Sequence, residues 1–473
     1  MPAKHIGSLL AAGLLLLAPG LAASAGTLRD TKHGDPQTGV SRTAEAPVGS
    51  CAQCHTGHGR GGGTGTSGEK GALSLFAAND NALCASCHDG PGALGGFPGM
   101  GPWDASAHAR SPHLVWPGPP ARPASDSGKC VNCHDPHGRA DKSGLIPAMA
   151  RAREAQLCLT CHDGSPAIKD VERQLQKPYA HPMLGTRSGR HDAAEGGDPA
   201  RFGTANRHVA CVDCHNPHRG RLQGRRQDQA PEAPENMTGV SRVRVTNGGI
   251  GTAAAYRFAG PEDTSFAQEY EICFKCHSSW TKQPTGQPDL ALLFNTNNPS
   301  FHPVEAGGKN PRIDANAFVN GWSAGRILYC SDCHGSDDAT VAGPHGSANR
   351  HLLKGPYATT ATPSRMGPTD VCFVCHAWET YARPGAAATA LGASRWNPPR
   401  DPSGHAFHVG TKGYSCWACH ESHGSTLNAA LVATTGRMPA MASYLQTATG
   451  GQCTATCHTT RPGPHTYTLN YAR

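Results

Sequence analysis

Residues 130–137, Cys-Val-Asn-Cys-His-Asp-Pro-His, and residues 157–164, Leu-Cys-Leu-Thr-Cys-His-Asp-Gly, decide how this chain is read. Each contains Cys-x-x-Cys-His, and the first adds a second histidine three residues after the first one. On a helical turn, cysteines at i and i+3 lie on one face. Two thiols so placed can add across the two vinyl groups of a haem, and the histidine that follows reaches the iron as its proximal ligand.

Outward from this stretch, Cys-x-x-Cys-His occurs nine times. The cysteine pairs are Cys51 and Cys54, Cys84 and Cys87, Cys130 and Cys133, Cys158 and Cys161, Cys211 and Cys214, Cys273 and Cys276, Cys330 and Cys333, Cys372 and Cys375, and Cys416 and Cys419. Their histidines are His55, His88, His134, His162, His215, His277, His334, His376 and His420. A tenth copy, Cys453-Thr-Ala-Thr-Cys457-His458, has one extra residue between its cysteines. The ten pairs use all 20 Cys and leave none for a disulfide framework or a free nucleophile. One motif alone fits a zinc knuckle or a redox dithiol as well; nine in one chain do not. The tenth needs a bulged turn, so haem attachment there competes with a Cys453–Cys457 disulfide or a damaged site. Ten haems c are expected, or nine if 453–458 is not used.

Composition supports a cofactor-filled interior. Leu, Ile, Val and Phe make up only about 14% of the chain, below the roughly 20% that a packed core needs. Gly 58 and Pro 38 together reach about a fifth of 473 residues, well above the usual share of about 12%. Long helices and wide sheets are not expected, and 20 Cys with 27 His is a surplus of ligands. The +7 formal charge comes without a long basic run or many aromatics, which argues against nucleic acid as a partner. A bis-His haem with two ionised propionates is anionic in both oxidation states and more so when reduced. Lys and Arg therefore read as propionate partners, and electron uptake should couple to protons.

The first 25 residues read as a secretory signal: Lys4, an apolar stretch from Ile6 to Leu17, and Ala23-Ser24-Ala25 before Gly26. Gly13, Pro19 and Gly20 interrupt this run, which is too short to span a bilayer. An exported protein without a membrane span is expected, resident in the periplasm or on the outer cell surface.

The motifs alternate in their surroundings. Odd-numbered copies continue to a second histidine, at His58, His137, His218 and His423, and at a longer distance to His345. Even-numbered copies close a short helix with capping residues such as Asn79, Asp80 and Asp370 before it and Gly164 after it. Five two-haem units result: 26–115, 116–183, 184–304 with an insertion at 222–268, 305–408 and 409–473. Gly/Pro-rich linkers lie at 59–70, 91–102, 116–128 and 383–404, and 222–239 reads as an exposed, solvated loop before a docking site for a redox partner.

On these residues the chain resembles the multihaem c-type cytochromes with doubled Cys-x-x-Cys-His motifs, most fully at 130–164 and 51–90. The third unit departs through its insertion and the last through its spacing. The resemblance implies an exported bacterial or archaeal electron-transfer protein, working in anaerobic respiration or extracellular routes. The expected fold is irregular coil with short α-helices wrapped around a chain of haems, and little β.

The sixth iron ligand decides between functions. Setting aside the ten motif histidines and His5, sixteen remain, enough for bis-His ligation throughout. Recurrence selects His58, His137, His218, His345 and His423 within the units, and His113, His181, His302, His408 and His465 after the even-numbered motifs. His33, His108, His191, His208, His351 and His405 are left over, with His33 the first to displace one of the ten. The first reading is an electron conduit with redox proteins as partners. The alternative is an oxidoreductase acting on a small nitrogen or sulfur oxyanion at one open haem. The missing Cys-x-x-Cys-Lys variant, the regular repeat and the surplus histidine speak against it. A subset of the first reading lets His33 or His465 ligate a neighbouring copy and build a filament.

Overall fold

The computed structural model describes residues 28–56, 75–88, 103–184, 209–221, 227–261, 263, 265–281, 286–360, 363–397, 404–434, 441–447, 450–455 and 464–468. The expected signal, His5, His58, His191, His208, Cys457 and His458 lie outside them, as do the linkers 59–70 and 91–102. Among the described residues, coil dominates and no helix is long and apolar enough to cross a membrane. Helices are short, the longest running from Glu269 to His277. This follows from the Gly and Pro content, which interrupts any periodic apolar stripe.

Contacts gather the chain into two compact units. One joins the residues up to Leu75 with His134–Ala152, and the other joins Phe76–Cys133 with Arg153–Arg473. In the first, Gln53 is wholly buried and acts as a polar staple: its Oε1 accepts from the backbone of Arg42 at 2.6 Å and Thr43 at 2.9 Å, and its Nε2 donates to Thr43 and Ala46 carbonyls, both at 2.9 Å. Sheet is limited here to Ala140–Asp141 paired with Gly144–Leu145.

The second unit holds three small apolar clusters. The largest joins Val243, Phe274, Ala291, Phe294 and Val304. Others form around Met366, Phe373, Ala382 and Val409, and around Leu159, Leu175 and Met183. Such clusters are too few to order a chain of this length alone, as the composition implies.

Over the described part of 222–239 the chain is exposed or half-buried and holds two short turns, Gln227–Gln229 and Glu235–Met237; the rest of the insertion is not all loop. Strands Arg242–Thr246 and Ala255–Ala259 form an antiparallel hairpin that folds the insertion back onto helix Glu269–His277. The Glu232 carbonyl accepts from the Tyr329 hydroxyl at 2.9 Å, and Ala233 donates to the Ala267 carbonyl at 2.8 Å. Arg242, 1% exposed, is held by Glu271 and Asp263, each at 3.1 Å. The loop composition of 222–239 concealed that the strands after it carry Val243 into the largest cluster.

Glu305 adjoins this cluster. Its Oε2 accepts from Asn247 at 2.7 Å, while its buried Oε1 has no partner among the described residues. Burial pushes the carboxyl up to about 7, against the bond from Asn247. A folded-state value above the unfolded one means that the native chain holds a proton the unfolded chain has lost, so stability falls as pH rises from about 4.5 through 7. Glu305→Gln is expected to melt with the parent at pH 5 and to be more stable at pH 8, by roughly 1–2 kcal/mol; thermal unfolding at both pH values checks this.

Candidate haem-binding sites

Nine of the ten motifs begin in helical turns, either short α-helix as at Asn81–His88 and Glu269–His277 or a single 3-10 turn as at Cys51–Gln53, Cys130–Asn132 and Cys416–Ala418. The motif histidine closes the turn by donating its backbone N–H to the first cysteine's carbonyl: 2.9 Å from His55 to Cys51, 3.0 Å from His162 to Cys158 and 2.9 Å from His420 to Cys416. Both cysteines and the imidazole therefore emerge on one side, as haem attachment requires. In the tenth motif Cys453 lies instead on strand Gly450–Ala455, opposite His465 on strand Pro464–Thr468 and Tyr444 on strand Met441–Thr447.

Motif histidines face a second histidine at a repeated separation. Ring centres are 6.2 Å apart for His55 and His137, 6.1 Å for His162 and His108, 6.1 Å for His215 and His345, 6.3 Å for His277 and His181, 6.1 Å for His334 and His423, and 6.0 Å for His420 and His405. For His376, His302 is the foremost of the imidazoles whose charge bears on it. These gaps are too wide for direct packing of two imidazoles. They fit a metal: an imidazole nitrogen binds a transition metal at about 2 Å, and the ring centre lies about 1 Å behind it, so two trans ligands stand with centres about 6 Å apart.

The ring nitrogens are arranged for that role. Nδ1 of His134, His215, His334 and His420 donates to the carbonyls of Ala148 at 3.0 Å, Asn236 at 3.0 Å, His351 at 2.9 Å and Ala430 at 3.0 Å. Nδ1 of His108, His181 and His302 donates to Pro217 at 3.1 Å, Pro344 at 2.6 Å and Ser422 at 2.7 Å. A carbonyl only accepts, so Nδ1 carries the proton and Nε2 keeps its lone pair. Burial, reinforced by neighbouring imidazoles, holds His277, His345 and His376 down to about 4. Burial also lowers His162, His181, His302, His334 and His420. Neutral imidazoles are the ligating form.

The structure opposes His137, His181, His345 and His423 to motif histidines, and sets His302 beside His376. Among the described residues His113 is exposed, and His408 stacks on Trp396 at 4.9 Å with its Nδ1 donating to the Gly404 carbonyl at 2.8 Å. The histidines that face His162 and His420 are His108 and His405, both counted as left over in the sequence. His218 packs edge-on against Trp103 at 5.8 Å. In Ala180-His181-Pro182 and Phe301-His302-Pro303 the proline follows the histidine, whereas in Ser111-Pro112-His113 it precedes it, and His108, in Ala107-His108-Ala109, has no adjacent proline, so the sequence carries no such signal for it.

Two devices join successive motifs. The first cysteine of each even-numbered motif that has a successor lies beside the first cysteine of the next, close enough for each sulfur to bear on the other: Cys84 with Cys130, Cys158 with Cys211, Cys273 with Cys330 and Cys372 with Cys416. These free thiols stand for the thioether sulfurs of attached haem. The other device is a two-residue ladder. Tyr179–Ala180 pairs with Gly346–Ser347, and His181 donates to the His345 carbonyl at 3.2 Å. Ser300–Phe301 pairs with Gly424–Ser425, and His302 donates to the His423 carbonyl at 2.8 Å. The glycines are required by close approach, since a Cβ at Gly346 would lie 1.8 Å from the Gln174 carbonyl oxygen and one at Gly424 equally close, 1.8 Å, to that of Leu293.

Residues 123–167 and 324–380 match the family described as the doubled CXXCH motif. The chain is similar to the C-type polyheme cytochrome OmcB of two strains of Geobacter sulfurreducens, being 22% identical over 388 residues that cover 63% of this chain and 48% of the relative. The chain thus spans about half the length of the curated relatives it matches. No solved structure matches it. The matched segments contain the motifs at 130 and 158 and at 330 and 372, among them the carbonyl-held imidazoles of His134 and His334. With nine such motifs in regular alternation, the chain is a multihaem c-type cytochrome that binds haem c covalently through its Cys-x-x-Cys-His pairs.

Proposed function

We propose that this cytochrome is an electron conduit whose haems are held by two histidines each and follow one another in sequence order. The observation that carries the reading is the set of opposed imidazole pairs near 6 Å, six of them measured between 6.0 and 6.3 Å. Haem supplies a one-electron couple at each such position, and two nitrogen ligands leave no open iron for a substrate. Transfer, not catalysis, is therefore the role of these positions.

The ligand pairs also give the order. His345 follows the seventh motif but faces His215 of the fifth, and His423 follows the ninth but faces His334 of the seventh. His181 follows the fourth motif and faces His277 of the sixth. Cysteine contacts link even-numbered motifs to the next odd one, and ladders link the ligands of the fifth and sixth and of the seventh and eighth. Together these supports run without a gap from the fourth motif at Cys158 to the ninth at Cys416, and a separate cysteine contact joins the second motif to the third. The five two-motif spans then describe the sequence repeat, while the ligands cross between them. Redox proteins are the partners, and export to the periplasm or outer cell surface, in anaerobic respiration or extracellular electron transfer, is the setting.

The oxidised holoprotein should show only low-spin haem by EPR, with nine or ten haems per chain by mass. A high-spin signal amounting to one haem per chain would sink the conduit and favour a reductase. His108→Ala and His405→Ala should each convert about one haem to high spin, whereas His113→Ala should leave the spectrum unchanged. A high-spin haem in His113→Ala and none in His108→Ala would reverse the assignment.

A further inference from the structure

Seven non-glycine residues in the described part have positive φ, and six of them form three consecutive pairs: Ala148 (54°) with Met149 (51°), His351 (61°) with Leu352 (58°), and Ala430 (54°) with Leu431 (57°). Single left-handed residues are uncommon without glycine, and adjacent ones more so. Strain of this kind persists where surrounding structure imposes it, and it points to function.

All three pairs do the same thing. The first carbonyl accepts Nδ1–H of a motif histidine: Ala148 from His134 at 3.0 Å, His351 from His334 at 2.9 Å and Ala430 from His420 at 3.0 Å. The second carbonyl accepts the next backbone N–H: Met149 from Asp135 at 2.7 Å, Leu352 from Gly335 at 2.8 Å and Leu431 from Glu421 at 2.6 Å. The residue after each pair, Ala150, Leu353 or Val432, then forms an isolated β-bridge with that histidine. Helical dihedrals of either hand aim successive carbonyls the same way, so a left-handed pair grips the histidine ring at Nδ1 and the backbone N–H of the residue after it.

Side chains brace the strained turn. Asn349 Nδ2 donates to the Leu353 carbonyl at 3.2 Å and Asn428 Nδ2 to the Val432 carbonyl at 2.9 Å. Ser300 Oγ accepts from Leu431 at 2.8 Å and donates to Asn428 at 2.7 Å. A single bond to Nδ1 needs no such strain, because His215 reaches the Asn236 carbonyl at 3.0 Å from the ordinary turn Glu235–Met237. The left-handed pair is what adds the second bond and fixes the ring.

We propose that Ala148-Met149, His351-Leu352 and Ala430-Leu431 are positioning residues that clasp the proximal imidazoles of His134, His334 and His420 and hold the reduction potentials of their haems down. The inference rests on the reading of these histidines as iron ligands. A firmly held Nδ1–H···O=C bond makes the imidazole a more basic ligand, which favours the oxidised iron. In this role they act through the histidine and not as iron ligands.

The test uses holoprotein carrying Ala430→Gly, Ala430→Val or Ala430→Pro. Glycine accepts a positive φ without strain, a β-branched residue resists it, and proline forbids it. Haem content by mass, the EPR of the oxidised state and a potentiometric titration are read on each. Ala430→Gly should match the parent in all three and melt no lower. Ala430→Pro should keep its haems yet shift one low-spin EPR component and raise the midpoint of about one haem, with Ala430→Val between. A fully loaded Ala430→Pro with parental EPR and titration overturns the clasp, as does a shift of equal size in Ala430→Gly. If Ala430→Pro fails to load, Ala430→Val against Ala430→Gly decides, and identical spectra and midpoints overturn it. A high-spin parent would instead remove the bis-His reading beneath it.

Discussion

A hydrogen bond from an imidazole Nδ1 to a backbone carbonyl is the interaction on which the rest of this molecule depends. It recurs at His108, His134, His181, His215, His302, His334 and His420. Each time it fixes the tautomer, aims Nε2 and anchors a stretch of coil that has no helix or sheet to order it. Four of the carbonyls lie ten to twenty-one residues further on and close a local loop, while those facing His108, His181 and His302 come from distant segments, so there the bond that prepares a ligand also closes a tertiary contact. His181 with Pro344 and His302 with Ser422 span more than a hundred residues each.

The attachment sites were legible in the sequence because they are local: Cys-x-x-Cys-His is a single turn, and its spacing is its chemistry. Coil with short helices was legible for the same kind of reason, from Gly, Pro and scarce aliphatics. The sixth position is not local. His137, His345 and His423 do face motif histidines, but each faces a motif other than the one it follows, and no spacing rule within a unit reveals that. His108 and His405 were passed over in favour of neighbours that recur in sequence. Adjacency to proline pointed to His113, beside Pro112, and away from His108, which has no proline next to it. The left-handed pairs were invisible, since Ala-Met, His-Leu and Ala-Leu carry no turn signal of the glycine or asparagine kind.

The insertion at 222–268 shows a different limit. Its first half has the composition of a solvated loop, yet the chain that follows supplies the hairpin and Val243 to the largest apolar cluster. The charged residues there are not surface charges either. Lys275, 1% exposed, sits between the two cysteines of the sixth motif and donates to Asp213, between the two cysteines of the fifth, at 3.4 Å to Oδ1 and 3.2 Å to the carbonyl. It also reaches Ser241 Oγ at 2.9 Å.

A buried ion pair of this kind is a weak source of stability, because desolvation cancels much of the attraction, but breaking one side is costly. Its effect is registry. Residues inside two attachment turns are locked to each other, just as cysteine contacts lock the fourth motif to the fifth and the sixth to the seventh. Ligand exchange, cysteine contact and this pair all act between successive motifs. A chain that lacks the aliphatic residues for an ordinary core is thus ordered link by link, and removing one attachment site should loosen the motifs on both sides of it before the rest.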